Sequence, residues 1–288
     1  MVRILRKVQL SYLLLAPTLL FLVLFFFVPL VQVVGTAFRA RGGGFTLAHW
    51  QRLFTDIHFP DALKNTLLLA LLIIPAQLVL AFLAALIINK QGRGSTALLY
   101  IYAIPLGISD LAAGLIWLSI FTERGYLNSL LQNLGFIERP ILYLSSRSPQ
   151  WLVAAVVITE VWRATPLVMV ILLSGLQMIA KDYLEAAEIF GCSWWQKVRL
   201  VILPLLKPSI QSALIMRTIL AFQVFGPIVV LAGRLLPVLA SESFHWYAII
   251  RHEYIASAYA LLLMVLSVLV TWSYLVLLRT KEEQLGVM

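Results

Sequence analysis

The sequence has few charged residues and a single cysteine, and each of these features excludes classes of protein. Only 12% of its 288 residues are charged, whereas 61% are hydrophobic, and the mean hydropathy is +0.94. A chain so poor in charge cannot cover the surface of an ordinary water-soluble domain. The single cysteine, Cys192, excludes an internal disulfide, a cysteine-based zinc site and a redox pair. The composition is that of an integral membrane protein.

The motifs of nucleotide and metal chemistry are also missing. Residues 92–96 (GRGST) lack the G-K-[ST] ending of a phosphate loop, and Ala256 stands where a zinc-protease motif beginning at His252-Glu253 needs a second histidine. The net charge of +9 is spread over short loops and forms no basic patch interleaved with aromatic residues, which argues against nucleic acid. We therefore expect no catalytic site, metal site or cofactor in this chain.

Long apolar runs predict six membrane-spanning helices. At about 1.5 Å per residue, each run is long enough to cross a hydrocarbon core of about 30 Å. Two short helices at the membrane surface are predicted over residues 48–54 and 127–134. The expected fold is an all-α membrane protein. The predicted spans cover residues 12–34, 62–88 with a kink at Pro75, 97–121, 151–178, 205–231 and 257–278.

Basic residues before the first run predict its orientation. Arg3, Arg6 and Lys7 precede the run, and no small-residue cleavage site follows it, so we expect a retained anchor with a cytoplasmic N-terminus. Six spans then place both termini in the cytoplasm. We divide the chain into an anchor helix with an outer segment (1–61), a transmembrane domain (62–279) and a cytoplasmic tail (280–288).

One amphipathic segment, residues 181–208, interrupts the apolar runs. Glu185 and Glu188 are three residues apart and share a helix face, and Gly191 is a plausible helix stop. Trp194 begins a second apolar stripe at helical spacing. The segment therefore predicts two short helices joined by a turn and lying on the membrane surface, with Lys197 facing water.

Six residues of this segment follow a fixed spacing: E-A-A, three residues, glycine, eleven residues, then L-P. They are Glu185, Ala186, Ala187, Gly191, Leu203 and Pro204. The motif resembles the EAA loop of binding-protein-dependent ABC importer permeases. The flanking stretches 175–177 (GLQ) and 203–208 (LPLLKP) are similar to the sugar-uptake branch, related to MalF and MalG of maltose transporters and to trehalose permeases. The similarity covers residues 17–278, with departures at 190–192 and 232–237.

The resemblance implies a type I ABC importer permease fold in which residues 180–203 form cytoplasmic coupling helices. Glu185 would pair with an arginine of the ATPase, since a half-buried carboxylate needs a charged partner. The implied partners are a second homologous permease, two ATP-binding subunits that bind ATP and Mg, an extracytoplasmic sugar-binding protein and membrane lipid. The implied location is a bacterial or archaeal cytoplasmic membrane. The implied substrate is a di- or oligosaccharide such as trehalose or maltose.

Four ionisable residues fall inside the predicted spans, where charge is costly unless it is paired or faces water. Counting along the helices places Glu160 about 14 Å deep and Arg217 about 18 Å from the opposite end, both near the midplane where transporters bind substrate. We expect these two side chains to pair, either lining the translocation path or bracing two helices. Arg163 is an alternative partner for Glu160. The fourth residue is Asp110.

A sugar site needs hydrogen-bonding groups beside aromatic rings. Gln223 with Phe222 and Phe225 is the best such group in the sequence, and Asp110 and Trp162 are secondary candidates. Ordinary helix packing is the alternative for the aromatic residues, which occur in every span.

Two other functions are considered. A membrane-embedded enzyme acting on lipid-linked sugar would use Asp110, Glu160 and His252 as acid or base, and an ATP-independent carrier would need no ATPase. Neither explains an EAA loop. Loss of transport on deletion of the ATPase would separate the importer from both.

Overall fold

The computed structural model describes residues 14–90, 92 and 94–277, and the chain falls into two compact units. Of the described residues, one unit comprises 14–59 together with Glu242–Leu262, and the other comprises Pro60–Ser241 together with 263–277. The predicted cytoplasmic N-terminus and the predicted tail, residues 280–288, lie outside the described residues.

Helices make up most of the described chain. The apolar runs form the long helices, and the polar segments between them form the short ones. In chain order they are α1 (Leu14–Phe38), α2 (Ala48–Phe54), α3 (Phe59–Asn89), α4 (Ser95–Ala103), α5 (Asp110–Phe121), α6 (Tyr126–Asn133), α7 (Pro149–Gln177), α8 (Lys181–Ile189), α9 (Trp194–Phe222), α10 (Leu239–Phe244) and α11 (Glu253–Leu277).

The predicted six-span architecture is confirmed. In the described residues, five helices are long and apolar enough to cross a membrane, and there are six if the bent pair that includes α4 and α5 is one span. The short helices α2 and α6 lie where the sequence predicts them. Helix α3 continues through Pro75.

The third span is broken, so the prediction of one continuous helix was wrong. Segments Ser95–Gly107 and Asp110–Asn133 are bent by 101° relative to each other. Pro105 lacks the backbone N–H that would continue the ladder of hydrogen bonds. Just beyond it, the Ser109 hydroxyl accepts a hydrogen bond from a backbone N–H of the next turn and caps α5. These two local signals outweigh the continuous hydrophobicity of the run.

The fifth span begins and ends earlier than the predicted 205–231. Helix α9 starts at Trp194, passes through a π-helical stretch at Val198–Ile202 and stops at Phe222. A proline fits the first turn of a helical segment, where its missing N–H needs no partner. Pro204 occupies that place after the π-helical stretch, so it does not separate the loop helix from the span.

Helices α7 and α9 approach closely at the end nearest α8. Leu172 and Leu206 are fully buried between them, and a Cβ atom added to Gly175 would lie 2.1 Å from Ser209 Oγ. Leu203 is half-buried and packs against the same cluster, which also includes buried alanines of α3. The missing side chain at position 175 is therefore what permits this contact between helices.

The unit formed by the N-terminal segment is organised around a carboxylate. Asp56 accepts hydrogen bonds from Trp246 Nε1 at 2.9 Å and from the Tyr259 hydroxyl at 3.2 Å. Phe38 stacks on Trp50, with ring centroids 5.5 Å apart. These contacts join the end of α1, α2 and the start of α11.

Candidate functional site

The four ionisable residues predicted inside the spans form one connected cluster, the charged cluster. Asp110 Oδ1 lies 3.0 Å from Arg163 Nη1, and Arg163 Nη2 lies 3.3 Å from Glu160 Oε1. Glu160 Oε2 in turn lies 2.7 Å from Arg217 Nη2. The expected pairing of Glu160 with Arg217 is therefore present, and Arg163 joins the same carboxylate as well.

The charged cluster ties four helices together. Glu160 and Arg163 lie on α7, Arg217 on α9, and Asp110 is the first residue of α5. The fourth helix, α3, contributes Gln77, whose Oε1 accepts a hydrogen bond from Arg217 Nε and whose Nε2 donates to the Glu160 carbonyl at 2.8 Å. Gln77 was not predicted as a site residue from the sequence. Its signal in the sequence is a single glutamine in the middle of the apolar run 67–88.

Burial decreases from one end of the cluster to the other. Glu160 is 0% exposed and Arg217 is 1% exposed, whereas the side chains of Arg163 and Asp110 are 17% and 45% exposed. Buried charges persist in a membrane protein only when they are paired or face water. The two guanidinium groups balance the two carboxylates, so the cluster has no net charge, and the group that reaches its surface is a carboxylate.

Two helix breaks meet beside the exposed end of the cluster. The chain leaves α9 at Gln223, and Gly226 then packs so tightly on α5 that an added Cβ would lie 2.5 Å from the Asp110 Cβ. Only glycine allows this approach. Broken membrane helices free backbone polar groups, and transporters place substrate sites at such breaks.

The predicted sugar-binding residues divide into exposed and buried sets. Gln223 is exposed, and Phe225 and Trp162 are half-buried, with the Trp162 ring 5.8 Å from that of Trp117 in an edge-on contact. Phe222 is only 3% exposed and packs into a hydrophobic cluster, as the helix-packing alternative predicts. The structure therefore leaves accessible surface on Gln223, Phe225 and Trp162 but not on Phe222.

The E-A-A part of the amphipathic segment lies in α8, and the acidic face of this helix is exposed on the protein surface. Glu185 and Ala186 are exposed, whereas Ala187 is only 6% exposed. Leu184 packs against the cluster between α7 and α9. The face that carries Glu185 therefore has no cover from the described residues of this chain. At the other end of the motif, Pro204 is exposed.

The turn after α8 is capped on both sides. Gly191 has φ +74°, and its N–H and that of Cys192 each donate to a carbonyl of α8 at 2.9 Å, which is a Schellman motif. Ser193 and Gln196 then form a capping box at the start of α9. The direction in which α9 leaves α8 is thereby fixed by four local hydrogen bonds.

Two further contacts attach α8 and the start of α9 to their surroundings. Lys197 Nζ lies 2.5 Å from Glu188 Oε1, and Lys90 Nζ, at the end of α3, lies 5.7 Å from the centroid of the Trp194 ring. Lys197 therefore pairs with α8, and its side chain, which is 19% exposed, faces water only in part. Because α9 is continuous from Trp194, about 30 Å of helix joins Lys197 to Arg217 in the charged cluster.

Among the described residues, no three side chains of His, Cys, Asp or Glu lie close enough together to hold a metal ion. The Asp110 and Glu160 carboxylates both form ion pairs with Arg163.

Comparisons with known proteins agree with this architecture. The sequence pattern of the family described as binding-protein-dependent transport system inner membrane component matches residues 77–282. The sulfoquinovosyl glycerol transport system permease protein SmoG of Agrobacterium fabrum is 33% identical over 95% of this chain and 91% of its own length. The trehalose/maltose transport system permease protein MalF of Thermococcus litoralis is 31% identical over 79% of this chain and 78% of its own.

The fold also matches a solved structure. One chain of a bacterial ABC transporter involved in the import of the acidic polysaccharide alginate superposes with a TM-score of 0.83. It covers 96% of this chain and 97% of its own length at 21% sequence identity. At that identity the likeness concerns the fold.

Proposed function

Since this chain belongs to the family of binding-protein-dependent transport system inner membrane components and is a permease subunit of a sugar ABC importer, we propose that it carries a di- or oligosaccharide such as trehalose or maltose. The charged cluster supports an uncharged sugar, and the relative named as a trehalose/maltose permease supports its size. The charges of the cluster cancel, and its exposed group is the Asp110 carboxylate, which accepts hydrogen bonds from sugar hydroxyls and repels acidic sugars. An uncharged sugar therefore suits the site better than the acidic cargo of the alginate importer.

In this proposal the path runs beside the meeting point of the two helix breaks. Gln223 and Asp110 supply hydrogen-bonding groups, and Phe225 and Trp162 supply rings for the apolar faces of the sugar. Glu160 and Arg217, which are fully buried, brace the helices behind that surface. Phe222 is left out because its ring is covered.

The energy comes from partner subunits. Two ATP-binding subunits would bind ATP and Mg in the cytoplasm, and the exposed face of α8 would enter a cleft on one of them, with Glu185 paired to an arginine. Closure of the ATPases would move α8, and the capped turn would pass that motion to α9 as a rigid-body displacement. A second permease would complete the path, and an extracytoplasmic binding protein would deliver sugar.

In this proposal the chain lies in a bacterial or archaeal cytoplasmic membrane with both termini in the cytoplasm. The enzyme alternative is weaker, since Asp110 and Glu160 are both engaged by Arg163 and neither is free to act as an acid or base. The carrier alternative gives α8 no role.

The proposal is tested by reconstitution. The chain and the subunits encoded beside it are placed in proteoliposomes, and uptake of labelled trehalose, maltose and a uronic-acid disaccharide is measured with and without ATP. We expect ATP-dependent uptake of a neutral disaccharide and little uptake of the acidic one. Uptake that proceeds without ATP would favour the carrier, and preferential uptake of the acidic sugar would contradict the substrate assignment.

The contact between Glu188 and Lys197 gives a second prediction. Glu188→Lys places two cations together at the turn, so α8 is held less firmly on α9, and we expect sugar transported per ATP to fall about two- to threefold. The exchange Glu188→Lys with Lys197→Glu restores the pair and should restore the ratio. Asp182→Lys, the same charge change on α8 at a residue with no ion pair among those described, is the control. Failure of the exchange to rescue coupling would show that the pair does not position α8.

A further inference from the structure

A polar cavity lies in the N-terminal unit, where α1 ends and α11 begins, and neither the proposed path nor the coupling segment uses it. Its volume is about 300 Å³. We call it the arginine pocket. It is lined by Arg41, Tyr247, Arg251, His252, Glu253 and Tyr254.

The two arginines give the pocket an excess of positive charge. Both are exposed, and neither forms an ion pair with any residue that the structure describes, although the Glu253 carboxylate lines the same cavity. Burial, and then the nearby charge of Arg41, hold the pKa of His252 below its usual value, so His252 is neutral near pH 7. The fixed charges are therefore two guanidinium groups and one carboxylate.

The backbone conformation at Arg251 favours glycine, so the presence of arginine there indicates a functional role for its side chain. Arg251 has φ +57°, and among the described residues it is the one non-glycine with a positive φ. Glycine would adopt this conformation without steric cost. The turn is held by hydrogen bonds from the His252 N–H to the Trp246 carbonyl at 2.8 Å and from the Ile250 N–H to the His245 carbonyl at 3.0 Å. The protein therefore has a guanidinium group at a position where the backbone conformation favours glycine.

The pocket lies close to the ends of two candidate membrane spans. Arg41 is three residues beyond the end of α1 at Phe38, and Arg251 is two residues before the start of α11, so both lie within about 10 Å of the ends of membrane spans. The headgroup layer on each side of a bilayer is about 5–8 Å thick. Tyr247 and Ile249 beside the pocket are each 66% exposed, as expected for side chains that enter the membrane interface.

We propose that the arginine pocket binds the headgroup of a phospholipid carrying both a phosphate and an ammonium group. Two guanidinium groups are suited to a phosphodiester, because their planar N–H donors match phosphate oxygens. Glu253 supplies the opposite charge for the ammonium group of an ethanolamine headgroup. A cavity of about 300 Å³ is at the lower end of the range for small-molecule sites, which is sufficient for a headgroup whose acyl chains remain in the bilayer.

Native mass spectrometry of the purified full chain tests the proposal. Phosphatidylethanolamine and phosphatidylglycerol with identical acyl chains are titrated against wild type and variants. We expect Arg41→Gln and Arg251→Gly each to weaken binding of both lipids about five- to tenfold, because each removes one guanidinium from the phosphate. Glu253→Gln should weaken phosphatidylethanolamine only. Arg147→Gln, at an exposed arginine outside the pocket, should leave both affinities unchanged.

Arg251→Gly also separates binding from folding. Because glycine relieves the positive φ, this variant should melt at a higher temperature than wild type while binding lipid more weakly. Unchanged lipid affinity in Arg41→Gln and Arg251→Gly would overturn the proposal. Displacement of the lipid by inorganic phosphate at equal concentration would instead show a site for free anions. If Arg41→Gln and Arg251→Gly bind lipid as wild type does, but the sugar-binding protein no longer stimulates ATP hydrolysis in the complexes that contain them, the pocket is a protein-docking surface.

Discussion

Glu160→Met is expected to lower the free energy of unfolding by about 3–5 kcal/mol, more than any other single change in the charged cluster. The substitution removes the carboxylate partner of Arg217, which is only 1% exposed and keeps a single hydrogen-bonding partner in the cluster, Gln77. Arg163 is less affected because it still contacts Asp110. Denaturation of the purified chain in detergent, followed by circular dichroism, measures the effect.

The variant on the other side of the pair is the matched control. Arg217→Met leaves Glu160 bound to Arg163, so it should destabilise less than Glu160→Met. The double variant removes both charges of the most buried pair and should be more stable than the sum of the single effects predicts. Additive losses, or a larger loss for Arg217→Met, would show that the ion pair does not determine stability here.

The charged cluster shows how much of the candidate site could be predicted from the energetic cost of placing charges in a membrane span. Charges inside apolar runs have few ways to persist, so the pairing of Glu160 with Arg217 followed from their types and depths. Gln77 could not be assigned in the same way. A neutral amide is inexpensive enough to occur in many membrane helices, and only the three-dimensional structure places it against Arg217.

The helix boundaries show where hydrophobicity misleads. The break before Asp110 and the early end of α9 at Phe222 both fall inside apolar runs, and hydropathy alone gives no weight to the proline, serine and glycine residues that end the helices there. Phe222 is buried, whereas the next residue, Gln223, is exposed. A span that is apolar on every side has no periodic pattern from which to predict which residue faces the core.

The amphipathic segment was more predictable because its signals are local. Gly191 ends α8 in the left-handed conformation, as a glycine after a helix commonly does. The pairing of Lys197 with Glu188 depends instead on the direction in which α9 leaves the turn. That direction is fixed by the combined geometry of two caps, which residue spacing alone does not give.

Glu185→Lys is expected to reduce both sugar-stimulated ATP hydrolysis and sugar uptake roughly a hundredfold in proteoliposomes. Glu185 lies on the exposed face of α8, and in the proposed complex it meets an arginine of the ATPase. Reversing its charge replaces an attraction with a repulsion at the interface through which ATPase closure is transmitted, and like charges in an interface cost several kcal/mol. Because α8 joins α9 through a capped turn, loss of this contact removes the mechanical connection to the charged cluster.

Two variants separate this effect from a general loss of negative charge. Asp182→Lys makes the same charge change on α8 and should have a small effect, whereas Glu185→Gln keeps the shape of the side chain and should be intermediate. Co-purification of the ATPase subunits measures assembly in each case. If Glu185→Lys hydrolyses ATP and takes up sugar at the wild-type rates, α8 has no coupling role. If Asp182→Lys loses as much activity as Glu185→Lys, the ATPase recognises the net charge of α8 and not Glu185 itself.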